Sequence, residues 1–149
     1  MTQTRPAEAR RISRLARIQA PVKDRVDRVG DEIRRIILSD FEHQEALNEY
    51  LLRLRGKLFR PTLLLLASEV GESAHEDALP LAAVVELVHL ATLVHDDAVD
   101  HSVLRRGLPT VNHLWNHQVA IIAGDFLYSR SVTELARIGR LEAIRALAV

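Results

Sequence analysis

The chain has 149 residues, 48% hydrophobic and 27% charged, a balance that suits one ordinary domain with a real core. Its 20 basic and 20 acidic residues cancel, so no global positive field draws it to nucleic acid or to an anionic membrane surface. Without cysteine it has neither a disulfide framework nor a thiolate metal site, which is simplest to reconcile with a cytoplasmic location.

Residues 1–21, MTQTRPAEARRISRLARIQAP, are Arg-rich and acid-poor, as an organelle transit peptide would be. They are read here as a mobile or loosely docked N-terminal extension, with a helical domain over 22–149. Helical signals dominate that domain and no convincing strand is visible. Val22, Val26, Val29, Ile33, Ile36 and Ile37 recur at three- and four-residue steps, one face of an amphipathic helix. Ser39-Asp40 breaks the pattern, and a second helix from about Glu42 to Leu54 is expected to bury Ala46, Leu47, Tyr50, Leu51 and Leu54. Gly56 interrupts. Pro61 restarts a helix at a first-turn position, where its missing N–H does no harm, and Gly71 ends it. The polar stretch ESAHEDALP is a loop that leads through Pro80 into an apolar helix running at least to Asp100. Its richest part, Leu79–Val94, carries Glu86 and His89, so no apolar stretch is expected to reach membrane-span length. Gly107 and Pro109 mark another loop. Asn112 to about Ile138 reads as one helix with Gly139 near its end, and Leu141, Ile144 and Leu147 open a further amphipathic pattern. The open apolar face at that end is expected either to belong to a shortened chain or to be completed by a partner.

The chemistry concentrates in LVHDDAVD, residues 93–100, where three carboxylates fall within a segment otherwise fit for a core. Buried carboxylates need partners. At about 100° per residue, Glu86, His89, Asp96, Asp97 and Asp100 share roughly a third of the helix circumference. Leu81, Ala83, Val84, Leu87, Val88, Ala91 and Val94 cover most of the rest. Asp96 and Asp100 are one turn apart and can reach a common point. Two such carboxylates repel unless a cation sits between them. Hard oxygen ligands suit Mg²⁺, which is usually held by one or two carboxylates plus substrate phosphates. A merely solvated acidic helix end is the weaker explanation, because acid there opposes the macrodipole.

Basic residues flank this stripe. Of the 20 basic residues only Lys23 and Lys57 are lysines, and Lys57 stands three residues before Arg60 in GKLFRP. Arg105 and Arg106 follow in the Gly- and Pro-containing turn of HSVLRRGLPTVN. Acids for a cation and cations for phosphate oxygens together fit a diphosphate substrate, since the arginine fork matches phosphate bidentately and lysine adds a point charge.

GKLFRP, ELVHLATLVHDDAVD, SVLRRGLPTVN and AGDFLYS, in this order and at these intervals, resemble the trans-type polyprenyl diphosphate synthases over nearly all of the chain after its first twenty residues. The resemblance implies an all-α fold, here the N-terminal half of an isoprenoid-synthase-type helical bundle around a central cavity, usually homodimeric. It implies Mg²⁺-dependent condensation of an allylic diphosphate with isopentenyl diphosphate. By position, Asp96 and Asp100 match the Mg²⁺ ligands of the first aspartate-rich motif and Asp97 its supporting acid. Lys57, Arg60, His89 and Arg106 match isopentenyl diphosphate contacts, and Arg105 an allylic diphosphate contact. Small residues at Ala91 and Thr92, where short-chain members often carry an aromatic floor, imply a medium or long product.

One departure stands out. The family's second aspartate-rich motif and its Lys-Thr contact have no counterpart after Gly124-Asp125, so the chain is expected to be an incomplete N-terminal part of a synthase, weak or inactive alone. A non-catalytic or split subunit docking with a longer synthase chain is the alternative. His95-Asp96 also fits the dipeptide of HD-type metal phosphohydrolases, but His95 lies about 100° from Asp96 and reads as a core histidine. His113 and His117 read as a surface pair, for no third ligand accompanies them.

Overall fold

The computed structural model describes residues 13–38, 45–54, 56–70 and 76–148. The expected break at Ser39-Asp40, the start near Glu42, Gly71 and the first part of the ESAHEDALP loop lie outside these, as do residues 1–12. The fold is all-α. Helix α1 spans Arg14–Gln19, a 3-10 turn spans Ala20–Val22, and α2 (Lys23–Ile37), α3 (Glu45–Leu54) and α4 (Phe59–Ser68) follow. The central α5 (Ala78–Val99) leads into a short ribbon, β1 (Leu104–Arg105) with β2 (Leu108–Pro109). Helices α6 (Val111–Leu114), α7 (His117–Ile138) and α8 (Leu141–Leu147) complete the order.

Helix α5 is the axis, with α7, α4 and α2 packed around it. The periodic residues of α2 are all buried, and they meet Leu51, Leu65, Val84, Leu87 and Leu127 in one continuous core. The opposite face of α2 is charged, with Lys23 donating to Asp27 at 2.5 Å one turn on. Two polar ties fix α7 against α2. Arg130 donates to the carbonyls of Ile36 (2.6 Å) and Leu38 (3.3 Å), placing a cation on the negative end of α2. Glu134, almost fully buried, accepts from Arg35 and Arg137, each at 2.6 Å. Those two guanidinium groups, Arg137 first, hold its carboxyl below the usual range against the opposing effect of burial.

Several expectations need correction. A strand pair does exist: Leu104 pairs with Pro109 and Arg105 with Leu108, antiparallel. Arg106 (φ 52°) and Gly107 (φ 81°) form its two-residue connection, and positive φ at both positions matches the right-handed twist of the strands. The helix expected from Asn112 to Ile138 is two helices. The chain turns out at Trp115, and Asn116 becomes an extended N-cap accepting from the Val119 amide at 2.8 Å. Periodicity alone does not show this, because a capping asparagine is compatible with the apolar pattern on either side. Ala46 is exposed, and Leu52 is buried in its stead. The membrane expectation also changes: α5 is long and apolar enough to cross a bilayer by length and composition, Glu86 and His89 notwithstanding, and half of that stretch is buried within the bundle.

Candidate active site

Helix α5 delivers the acidic residues and ends among them. Its close is a Schellman arrangement: the Ser102 amide donates to the Asp97 carbonyl (2.9 Å) and the His101 amide to that of Ala98 (3.3 Å). His101 takes the left-handed position at φ 50°, where His is tolerated better than β-branched residues. The helix therefore stops at Val99, with Asp100 as its C-cap and Asp96 one turn back.

The three aspartates then part company. Asp97 is 5% exposed and clamped by Arg105, whose Nε donates at 2.6 Å and Nη2 at 2.8 Å to its two carboxylate oxygens. This hydrogen bonding raises the Arg105 pKa, with smaller contributions from Asp96 and Asp100. Arg105 is thus committed to Asp97 and couples the ribbon to α5. Asp96 and Asp100 are exposed and make no side-chain hydrogen bond or ion pair among the described residues. Two bare carboxylates at the negative end of a helix are a poor arrangement in the absence of a cation. Among the described residues no three His, Cys, Asp or Glu side chains gather closely enough to enclose a metal. That donor set fits Mg²⁺ held by two carboxylates, with water and phosphate oxygens completing the shell.

The ribbon is held firmly enough to aim its arginines. The Thr110 hydroxyl donates to the Ser102 carbonyl at 2.6 Å and the Asn112 amide donates to it at 3.0 Å. Tyr50 of α3 donates to the Pro109 carbonyl and packs edge-on against Trp115, ring centroids 5.5 Å apart.

Lys57, Arg60, His89 and Arg106 come together in one cavity of about 560 Å³, walled also by Glu86 and Leu93 of α5. The Arg106 guanidinium lies against Gly56, where a Cβ would overlap it, so the glycine that interrupts α3 from α4 also admits this arginine. His89 has its pKa lowered, first by burial and then by the charges of Arg60, Arg106 and Arg105. A cavity carrying these cations beside a neutral imidazole is built for a polyanion. The four residues that the family resemblance groups at one diphosphate thus line one cavity, while Arg105 makes its side-chain hydrogen bonds to Asp97.

His95 is not a core residue. Its side chain is 36% exposed, with Nε2 3.1 Å from the Ile121 carbonyl and 3.3 Å from Asp125. Gly124 makes room for it, since a Cβ there would overlap the imidazole. His95 faces α7 rather than Asp96. His113 and His117 sit on different helices, and His117 packs instead on His101 at 5.4 Å.

The family model for polyprenyl synthetase matches residues 41–149. The chain belongs to the polyprenyl synthetase family. Its relatives in this family include the heptaprenyl diphosphate synthase component 2 of Geobacillus stearothermophilus, 35% identical, which it matches over 85% of its own length and 40% of that protein. A nonaprenyl diphosphate synthase of Mycobacterium tuberculosis is 42% identical over 70% of this chain and 32% of the other. Among solved structures, a polyprenyl synthase from Caulobacter crescentus, complexed with calcium and isoprenyl diphosphate, superposes with a TM-score of 0.83 at 31% identity. That match covers 93% of this chain and 42% of the other. A decaprenyl diphosphate synthase from Rhodobacter capsulatus gives 0.82 at 34%, over 90% and 42%. This polyprenyl synthetase chain thus spans about a third to two fifths of the length of these relatives.

Proposed function

We propose that this chain supplies the first aspartate-rich wall and the basic diphosphate cavity of a cytoplasmic trans-polyprenyl diphosphate synthase, a prenyltransferase that condenses an allylic diphosphate with isopentenyl diphosphate. The observation that carries the proposal is the split of polar side chains along α5: bare Asp96 and Asp100 at its C-terminal end, and His89 facing Lys57, Arg60 and Arg106 in the cavity. One helix can thus present two diphosphate sites in tandem, one through a cation and one through basic side chains. A relative complexed with calcium and isoprenyl diphosphate supports a divalent cation and a diphosphate as ligands.

Asp96 and Asp100 would hold Mg²⁺ on the allylic diphosphate. When bound, the ion supplies Lewis-acid stabilisation to diphosphate oxygens that gain charge as the allylic C–O bond ionises. Asp97 anchors Arg105 beside this end of the helix, so a fixed cation faces the leaving group with little reorganisation. Lys57, Arg60 and Arg106 bind the isopentenyl diphosphate oxygens, and His89 donates a ring N–H hydrogen bond there. Thr92, exposed on α5, is small enough to admit a growing tail of medium or long length, whereas Ala91 is buried in the core.

Assembly with a second chain, as a homodimer or with a longer synthase subunit, is part of the same proposal. Leu141 (52% exposed) and Ile144 of α8 are unburied, and one relative is named as a component.

The test is thermal unfolding with Mg²⁺ and inorganic pyrophosphate, together and separately. Together they should raise Tm beyond either alone, and Asp96→Ala with Asp100→Ala should abolish the Mg²⁺-dependent part. Unchanged protection in that double variant would rule out the metal assignment.

A further inference from the structure

We infer that Gln19, at the end of α1 and upstream of the residues matched by the family model, is a positioning residue for the basic cavity: its amide clamps the backbone turn that presents Lys57 and Arg60. The inference rests on the assignment of those two residues as diphosphate ligands, proposed above.

Three observations converge on it. First, α1 is docked on the cavity. Ser13 caps it by accepting from the Ala16 amide at 3.1 Å, and Leu15 and Ile18, three residues apart on one face, form part of the cavity wall. Second, the turn between α3 and α4 is strained. Leu58 stands at φ 52°, ψ 39°, the left-handed region that a γ-branched residue occupies only when its surroundings hold it there, and α4 has no side-chain N-cap. Third, the Lys57 carbonyl of this turn is satisfied from α1, and the Leu58 carbonyl by the amide and hydroxyl of Thr62 in α4, a hydroxyl that α1 in turn holds. Gln19 Nε2 donates to the Lys57 carbonyl at 3.1 Å and to Thr62 Oγ1 at 3.0 Å. The fully buried Thr62 hydroxyl in turn donates to the Leu58 carbonyl at 2.7 Å. One amide and one hydroxyl thereby hold two successive carbonyls of the strained turn.

The consequence is directional. Lys57 precedes the left-handed residue and Arg60 lies two residues beyond it, so release of the clamp lets Leu58 relax and turns both cations away from His89 and Arg106. A glutamine reaching across from another helix does this where a local cap cannot, because the turn carries Leu58 rather than Ser, Thr, Asp or Asn at the capping position. The segment that sequence composition marks as an extension thus becomes part of the site.

The experiment measures, by calorimetry on this chain, the affinities for isopentenyl diphosphate and for geranyl diphosphate with Mg²⁺. Gln19→Glu is isosteric and turns a donor into an acceptor facing a carbonyl. It should weaken isopentenyl diphosphate binding by roughly five-fold or more, the factor expected for one lost hydrogen bond, and leave the Mg²⁺-dependent affinity unchanged. Thr62→Val, which breaks the relay at its other end, should reproduce that split, while Thr62→Ser, which keeps the hydroxyl, should retain wild-type affinity. An equal loss for both ligands, or a Thr62→Ser loss matching that of Thr62→Val, would mean general loosening and overturn the inference. Arg60→Ala separates the two levels. If it weakens isopentenyl diphosphate binding and Gln19→Glu does not, the clamp alone is wrong. If Arg60→Ala has no effect, the cavity assignment falls and takes the clamp with it.

Discussion

At the scale of single residues, two neighbours in LVHDDAVD differ because one rotation of 100° moves a side chain from solvent to the core-facing ribbon. Asp97 and Arg105 form a largely buried pair, and removing one partner leaves the other charge uncompensated. Asp97→Ala is therefore expected to lower stability by about 2 kcal/mol in urea unfolding, below the full value for a deeply buried pair because Arg105 keeps some solvent. Asp96→Ala should be nearly neutral in the same measurement. His89 gives a pH signature. Its pKa lies below the usual 6.5 in the folded chain, so the unfolded chain binds its proton more tightly. The stability it contributes is whole above about pH 6.5 and is lost as pH falls from there through the lowered folded value. A diphosphate in the cavity offsets the charges of Arg60 and Arg106 and should raise that pKa. Imidazole chemical shifts titrated with and without inorganic pyrophosphate measure it, and an unmoved midpoint would place the anion elsewhere.

At the scale of elements, the α5–α7 contact depends on a glycine. His95 reaches across to the Ile121 carbonyl over Gly124, which has no side chain to obstruct it. Gly124→Ala forces the imidazole aside, and since His95 is partly exposed it can swing out rather than deform the helices. The hydrogen bond forgone, about 1 kcal/mol, is offset by a similar gain in helix propensity inside α7, so the net change in stability should be small. A double-mutant cycle with His95→Ala should show coupling, because the closest atoms the added methyl meets are those of the ring. Additive effects would mean that the ring does not occupy that space. The same crossing sets where Asp96 emerges relative to α7, so element packing and the candidate metal end are mechanically linked.

At the scale of the whole molecule, the bundle is organised so that its most apolar helix also carries most of the candidate site. Helix α5 can carry Glu86, His89, Asp97 and two bare carboxylates because α2, α4 and α7 bury its remaining sides. Leu87, fully buried at the centre of α5, should cost about 2–5 kcal/mol when changed to Ala, the combined transfer and cavity loss. Guanidinium unfolding should show that loss as a shifted midpoint at an unchanged slope.

The sequence by itself determined the all-α class and the order of the main helices α2, α3, α4, α5 and α8, and its motifs, through the family resemblance, grouped Lys57, Arg60, His89 and Arg106 at one diphosphate. These are legible because helical period and motif spacing are local properties of the chain. Only the tertiary structure decided that Arg105 belongs to Asp97, that His95 faces Gly124, that Asn116 breaks a helix, and that Gln19 clamps the turn before α4. Each of these joins residues on different elements, or reverses chain direction at a single position. Such contacts are set by how helices cross and which carbonyls are left without partners, and periodicity carries no record of either. LVHDDAVD shows both sides: its spacing revealed a carboxylate pair, but only the ribbon folded beneath it determined which two of the three aspartates are free to bind.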